Sequence, residues 1–268
     1  MTFDDQAKTF ETRAGLSEST CRVIVQTALD LAGIKPGEQV VEVGAGTGQI
    51  GQWFAAEEVQ YLGFDLSAAM LEEFQLHLDS QVNSKNPARK NTTLLQGDAN
   101  QQWFVGNNQA SLIFSSRTLH LLDLEHVVQE SLRIAHPERA TVLIGSVQRD
   151  PQGVKSQMRK QMQTLLAAET LQGRQKKRLI EQLIKLFIQQ GAIEIKPVAV
   201  SQWQVASTPR QSLESWRGKA NLAGIELDEG VKQHVLDQLQ AWAEAKFGDL
   251  DQPIETAETY LLQGVRLN

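Results

Sequence analysis

The chain has a single cysteine, Cys21, so no disulfide can form within it and no cysteine-rich metal centre is available. No apolar run approaches the length that a membrane-spanning helix needs, so no membrane partner is expected. The first residues, Met1 to Asp5, are acidic and lack an apolar signal core, and the expected location is the cytoplasm. There is no excess of positive charge. The formal net charge is −6, which speaks against nucleic acid as a partner, because neutralising phosphates takes a basic surface. His, Asp and Glu nowhere fall at metal-ligand spacing, so no metal is expected. Internal repeats and low-complexity segments are also missing. What is there is a chain of 268 residues, 41% of them hydrophobic, enough for one large domain or a domain with a cap.

The pattern concentrates in Val40-Val41-Glu42-Val43-Gly44-Ala45-Gly46-Thr47-Gly48-Gln49. Its β-branched run suits a strand buried on both faces. Glycines at alternate positions allow a left-handed turn and leave room for a ligand. With Ile50 to Ala56 opening a helix, the turn would present backbone N–H groups at a positive helix end, a seat for the polar part of a nucleotide-like ligand. Glu42, near the end of the strand, can pair with a cationic group or a hydroxyl of that ligand. Gly46-x-Gly48-x-x-Gly51 also matches the dinucleotide fingerprint of NAD-binding domains, and a glycine-rich turn without a ligand is the bland reading.

Apolar periodicity predicts a helix over Glu18–Ala32, capped by Ser17 and stopped by Gly33 and Pro36. Strands are predicted at Gln39–Gly44, Val59–Asp65, Thr93–Gln96, Ala110–Ser115 and Ala140–Ser146, with helices after Ser67 and around Leu124–Ile134. Strands alternating with helices mean a parallel sheet with crossover helices. Helices at Gln157–Ala168 and Arg174–Gln190 and a strand over Ile193–Val205 follow. Residues 207–247 read as helical, before a last strand around Tyr260–Val265.

Glu42-x-Gly44-x-Gly46-x-Gly48, together with Gly97-Asp98 after the third strand, resembles the class I S-adenosylmethionine-dependent methyltransferases of small molecules. The resemblance implies an α/β fold: a Rossmann-like doubly wound seven-stranded sheet, mostly parallel with an antiparallel last strand, plus a helical cap. It makes 1–268 a single methyltransferase domain, with its core at about 18–147, 180–205 and 256–267 and cap segments at 1–16, 150–175 and 207–250. The implied cofactor is S-adenosyl-L-methionine, with S-adenosyl-L-homocysteine as the product. Glu42, Gly44, Ala45, Gly46 and Gly48 would form its first contact. Asp65 would hold the ribose hydroxyls, with Leu66 against the adenine. Gly97 and Asp98 would meet the adenine amino group, Ala99 would offer its N–H to the ring, and Ser115 would touch the methionine part through its backbone. Ser116 to Leu122 resembles the post-strand segment of these enzymes, where a Leu-His pair is frequent, and Phe3-Asp4 through Phe10-Glu11-x-Arg13 resembles their opening segment.

Methyl transfer from a sulfonium is an in-line displacement, so the protein mainly positions the acceptor and excludes water. His120 is the candidate base, because imidazole titrates near neutral pH; the alternative is a packing histidine beside Leu119 and Leu121. Arg117 is a candidate for holding an acidic acceptor, or else a solvated arginine. Trp203 and Trp216 are candidates for the acceptor pocket, or else core aromatics. The Asn/Asp-Pro-Pro-Tyr of base and glutamine methylases is absent after the fourth strand, which leaves a small-molecule acceptor with an O, N or C atom. Between Arg149 and Arg178 basic residues outnumber acidic ones eight to two, which makes an anionic acceptor the sharper reading and a solvated helix face the bland one. The competing readings are a nicotinamide-dependent oxidoreductase, for which neither Tyr61 nor Tyr260 begins a Tyr-x-x-x-Lys donor pair, and a non-catalytic module that binds the adenosyl cofactor. The assembly expected is a monomer or a homodimer.

Overall fold

The computed structural model describes residues 16–80, 91–171, 178–219 and 221–267. The opening segment with Phe3, Phe10 and Arg13, and the basic residues Arg174, Lys176 and Lys177, lie outside them. By contact the chain divides into two compact units: Met1–Ser146 with Arg178–Ser201 and Tyr260–Asn268, and Val147–Lys177 with Gln202–Thr259.

In the first unit, helix α1 (Glu18–Ala32) begins where the Ser17 hydroxyl accepts the Thr20 N–H at 3.2 Å and ends at Gly33, whose φ of 64° only glycine adopts freely. Strand β1 (Gln39–Val43) follows, with Val40 to Val43 all buried. After the short helix α2 (Gly51–Phe54) come β2 (Gln60–Asp65), α3 (Ala68–Ser80), β3 (Thr92–Gln96) and β4 (Ala110–Ser116). A 3₁₀ turn at Leu119–Leu121 leads to α4 (Leu124–Ile134), capped by Asp123, and to β5 (Ala140–Arg149). Helix α5 (Val154–Ala168) precedes α6 (Leu179–Gln189) and β6 (Ile193–Ser207). The remaining elements are α7 (Pro209–Arg217), β7 (Asn221–Leu222), β8 (Ile225–Glu226), α8 (Glu229–Phe247) and β9 (Ile254–Leu267).

Seven strands form one sheet in the order β3-β2-β1-β4-β5-β9-β6, parallel except for β9. The order reverses beside β1, where β2 lies on one side and β4 on the other, each pairing with it in parallel. Such a switch point leaves a crevice at the carboxyl ends of the central strands. This is the Rossmann-like sheet that the resemblance implies, and its parallel strands are those expected from the strand–helix alternation. Its core draws on Val41, Val43, Phe64, Ile113 and Val142 from the strands and on Val127, Val128, Leu183 and Phe187 from the helices.

The second unit has a core of its own, built from Val154, Met158, Met162 and Leu166 of α5 with Leu213 of α7 and Val235, Leu236 and Leu239 of α8. Two expectations differ there. Residues 207–247 are not continuously helical: α7 ends near Gly218, and a two-stranded ribbon, β7 with β8, intervenes before α8. Positive φ at Ala223 and Gly224 makes that tight turn. The last strand begins at Ile254, earlier than its polar residues suggest. In the first unit, the helix predicted from Ile50 to Ala56 shrinks to Gly51–Phe54. Bonds from the Trp53 N–H to the Ile50 carbonyl and from the Ala56 N–H to the Trp53 carbonyl tighten both of its ends.

Candidate functional site

A cavity of about 410 Å³ opens at the carboxyl ends of β1, β2 and β4. Its size falls in the range that holds a drug-sized or nucleotide-sized ligand, roughly 300–1,000 Å³. Four segments build it: the glycine turn after β1, the end of β2, the loop after β3, and the turn after β4.

The glycine turn is fixed from within. Gly44 and Ala45 both donate their N–H to the Phe64 carbonyl at 3.0 Å, and Gly48 donates to the Ala45 carbonyl at 3.1 Å. Gly46 donates to the Asp65 carboxylate at 2.9 Å. These N–H groups therefore brace the turn and do not point as a set at a ligand from a helix end, as expected from the sequence; α2, with four residues, is too short to act as one. Gly44, Gly46 and Gly48 all have positive φ, at 75°, 55° and 78°. A side chain at Gly44 would collide with Thr118 and one at Gly48 with Phe74. A Cβ at Gly46 would meet nothing within 4 Å, because the cavity lies beside it. The three glycines thus do different work. Gly44 and Gly46 line the cavity, whereas Gly48 lets the turn close against α3 and is not part of the lining.

Asp65, at the end of β2, accepts the Gly46 N–H on Oδ2 and the Ser67 N–H on Oδ1, each at 2.9 Å. Leu66 follows with 58% of its surface exposed, an apolar face on the cavity wall. Gly97 and Asp98 stand after β3, with Asp98 Oδ1 accepting the Asn100 N–H at 2.9 Å. This loop is anchored from below. The buried Glu130 carboxylate accepts the Trp103 N–H at 2.7 Å and pairs with Arg133 at 2.6 Å, and that guanidinium holds Glu130 below the usual carboxylate range. The Trp103 indole donates to the Ala99 carbonyl at 2.9 Å, which seats Ala99 and Asn100 on the wall.

Glu42 is 3% exposed and faces both the core and the cavity. The Tyr61 hydroxyl donates to its Oε2 at 2.5 Å. Burial is the largest influence on Glu42 and pushes it up to about 8, against the pull of the Tyr61 bond and the Arg117 charge. Burial, reinforced by the carboxyl itself, raises the Tyr61 phenol as well.

The turn after β4 completes the wall. Arg117 has a φ of 64°, a strained setting for a residue with a Cβ and one that recurs at functional sites. Its Nη2 donates to the Gln49 side-chain oxygen at 2.9 Å. His120 is exposed and borders the cavity from the 3₁₀ turn, beside the exposed Leu121 and apart from the buried Leu119. It is therefore not buried as a core histidine would be.

The structure brings Glu42, Gly44, Ala45, Gly46, Asp65, Leu66, Gly97, Asp98, Ala99, Arg117 and His120 to one cavity. It does not bring Ser115, Trp203 or Trp216 to it. Ser115 is buried, and its hydroxyl donates to the Val43 carbonyl at 2.9 Å. Alternation along the strand turns its neighbour Ser116 to the cavity instead, held by a 2.7 Å bond to the Tyr260 hydroxyl. Trp203 is half-buried on β6, and Trp216 packs against the core of the second unit. Sequence reading also missed Gln49 and Thr118, whose polar side chains carry no motif of their own.

Residues 40–138, which hold every segment of this wall, match a family model described as a methyltransferase domain. These residues carry a methyltransferase domain. No curated protein sequence matches the chain. Solved structures share the fold at low identity. The YcgJ protein from Bacillus subtilis is 15% identical, with a TM-score of 0.54, over 93% of this chain and 98% of that one. A candidate methyltransferase from Bacillus halodurans is also 15% identical, with a TM-score of 0.55, over 90% and 97%. A geranyl diphosphate methyltransferase in complex with S-adenosylmethionine is 13% identical, with a TM-score of 0.50, over 91% and 84%. The lining has room and groups for an adenosyl ligand: open space beside Gly46, carboxylates at Asp65 and Asp98, and the apolar Leu66 in the wall.

Proposed function

We propose that this methyltransferase passes the methyl group of S-adenosylmethionine to a small-molecule acceptor, and that the cavity between the glycine turn and the turn after β4 is where it does so. The supporting observation is Asp65, whose carboxylate lines the cavity with its two oxygens oriented by backbone N–H groups from separate segments. That geometry suits a pair of ribose hydroxyls. In this reading Gly44, Ala45 and Gly46 give the cofactor room, Leu66 and Ala99 flank its adenine, Asp98 accepts from the adenine amino group, and Ser116 replaces Ser115 near its methionine part. The cofactor supplies a methyl group already activated as a sulfonium.

The chain's own residues position the acceptor and manage its proton. His120, exposed at the wall, takes a proton from an acceptor hydroxyl as the methyl group arrives, or from an acceptor ammonium beforehand, so that the nitrogen attacks with its lone pair. Arg117, held by Gln49, orients an acidic acceptor group. A fold neighbour named a geranyl diphosphate methyltransferase, after an anionic small molecule, supports such a role. A screen of hydroxylated, amine and activated-carbon acceptors, read as S-adenosylhomocysteine formed, tests the reading. Turnover with a small molecule that is lost in His120→Ala supports it; methylation confined to macromolecules overturns it.

A further inference from the structure

Ser116 Oγ, on the cavity wall at the end of β4, lies 2.7 Å from the hydroxyl of Tyr260 on β9. Gly145, the partner of Ser116 on β5, leaves room for this contact: a side chain there would collide with the Tyr260 hydroxyl. Tyr260 is fully buried, and burial raises its phenol above the ordinary range, so it keeps its proton. Ser116 is half-buried.

The pair holds two hydroxyl hydrogens and one hydrogen bond. Burial decides which hydrogen the bond uses. Among the described residues, Ser116 is the one hydrogen-bond partner of the Tyr260 side chain. Were Ser116 the donor, the phenol hydrogen would sit buried without an acceptor, a costly arrangement. Tyr260 therefore donates and Ser116 accepts. The Ser116 hydrogen is left over, on a side chain that borders the cavity, so its acceptor comes from whatever fills the cavity.

Position selects the ligand atom. Strands β3, β2, β1 and β4 lie side by side, so Asp98, Asp65, the glycine turn and Ser116 follow one another across the strand ends. With adenine at Asp98 and ribose at Asp65, the amino-acid end of the cofactor reaches Ser116. That end carries an ammonium, which has no lone pair to accept a hydrogen, and a carboxylate, which accepts strongly.

We propose that the Ser116 hydroxyl donates to the carboxylate of the cofactor's methionine part, and that Tyr260 is the positioning residue that turns the hydroxyl towards it. The proposal rests on the adenosyl reading of the cavity given above.

Calorimetry on the full chain tests it, with S-adenosylhomocysteine and with methylthioadenosine, which keeps the adenine, ribose and sulfur but has no amino acid. Ser116→Ala is expected to bind S-adenosylhomocysteine about tenfold more weakly or worse, and methylthioadenosine within about twofold of the parent. Tyr260→Phe should show the same selectivity with a smaller loss, about threefold or more for S-adenosylhomocysteine. The double variant should bind S-adenosylhomocysteine as weakly as Ser116→Ala, because Tyr260 acts only through Ser116. A merely structural tyrosine would weaken both ligands and add its loss to that of Ser116→Ala. Ser116→Ala strands the phenol hydrogen and should melt lower, whereas the double variant has no such orphan. If Ser116→Ala does not fold, the double variant decides: S-adenosylhomocysteine affinity no lower than in Tyr260→Phe overturns the proposal. So does affinity unchanged in Ser116→Ala or in Tyr260→Phe, or an equal loss for both ligands. A parent that binds neither adenosyl compound overturns the adenosyl reading and the proposal with it; a parent that binds both, with no selective loss in the variants, overturns the proposal alone.

Discussion

The Tyr61 hydroxyl donates to the Glu42 carboxylate at 2.5 Å, and a Cβ at Gly51 would collide with both groups. The acid of the first motif is therefore clamped into the floor of the cavity and does not stand free at its edge. Its burial sets a pH dependence. With Glu42 raised from 4.5 to about 8, the folded protein binds a proton that the unfolded chain has lost between those values. The stability contributed by that proton is complete below about 4.5 and is lost as pH rises through about 8. Glu42→Gln should remove this decline, so that above pH 8 the variant is more stable than the parent in urea titrations. In the parent, ionisation of Glu42 adds a negative charge to the wall, so affinity for a cationic adenosyl ligand should rise as pH passes about 8, and Glu42→Gln should flatten that rise.

Asp65→Ala should weaken adenosyl binding by about 10–100-fold, the loss expected for hydrogen bonds of about 1.5–3 kcal/mol to a charged acceptor. Asp65 also braces Gly46 and Ser67, so a modest fall in melting temperature should accompany it. Calorimetry and thermal unfolding on the same variant measure both effects.

The glycines of the turn should separate by mechanism. Gly46→Ala places a methyl group in open space beside the cavity, at a backbone cost of roughly 1–2 kcal/mol for the left-handed conformation. It should fold and bind the cofactor poorly. Gly48→Ala drives a methyl group into Phe74 and should mainly destabilise the fold. Thermal melts with and without S-adenosylhomocysteine distinguish the two patterns.

His120→Ala should lower turnover by about 10²–10⁴-fold, the usual contribution of a general base, with cofactor affinity within a few-fold of the parent. Steady-state rates beside calorimetry for the cofactor check this: the fall should lie in turnover and not in cofactor binding.

The sheet was legible where local chemistry fixes a boundary. Ser17 and Gly33 bound α1 by capping, so its ends could be read from two residues. Asp65 could be placed because it ends an apolar strand, and Asp98 because it follows Gly97 just past β3. Where a single residue decides which way a side chain faces, sequence could not choose. Ser115 and Ser116 are chemically identical, and only the pleat of β4 turns one to Val43 and the other to the cavity. Trp216 at helical spacing reads the same whether it lines a pocket or packs in a core, and it packs. The clamp on Glu42 depends on Tyr61 from the neighbouring strand, a pairing that no local pattern announces.

The central claim is that the cavity at the switch point of the sheet is an adenosyl site organised by Asp65, and calorimetry on the full chain tests it most directly. The account predicts one site that binds S-adenosylmethionine and S-adenosylhomocysteine, loses at least tenfold in affinity for both in Asp65→Ala, and does not bind NAD. Binding of NAD with no binding of either adenosyl compound, or adenosyl affinity unchanged in Asp65→Ala, would contradict it.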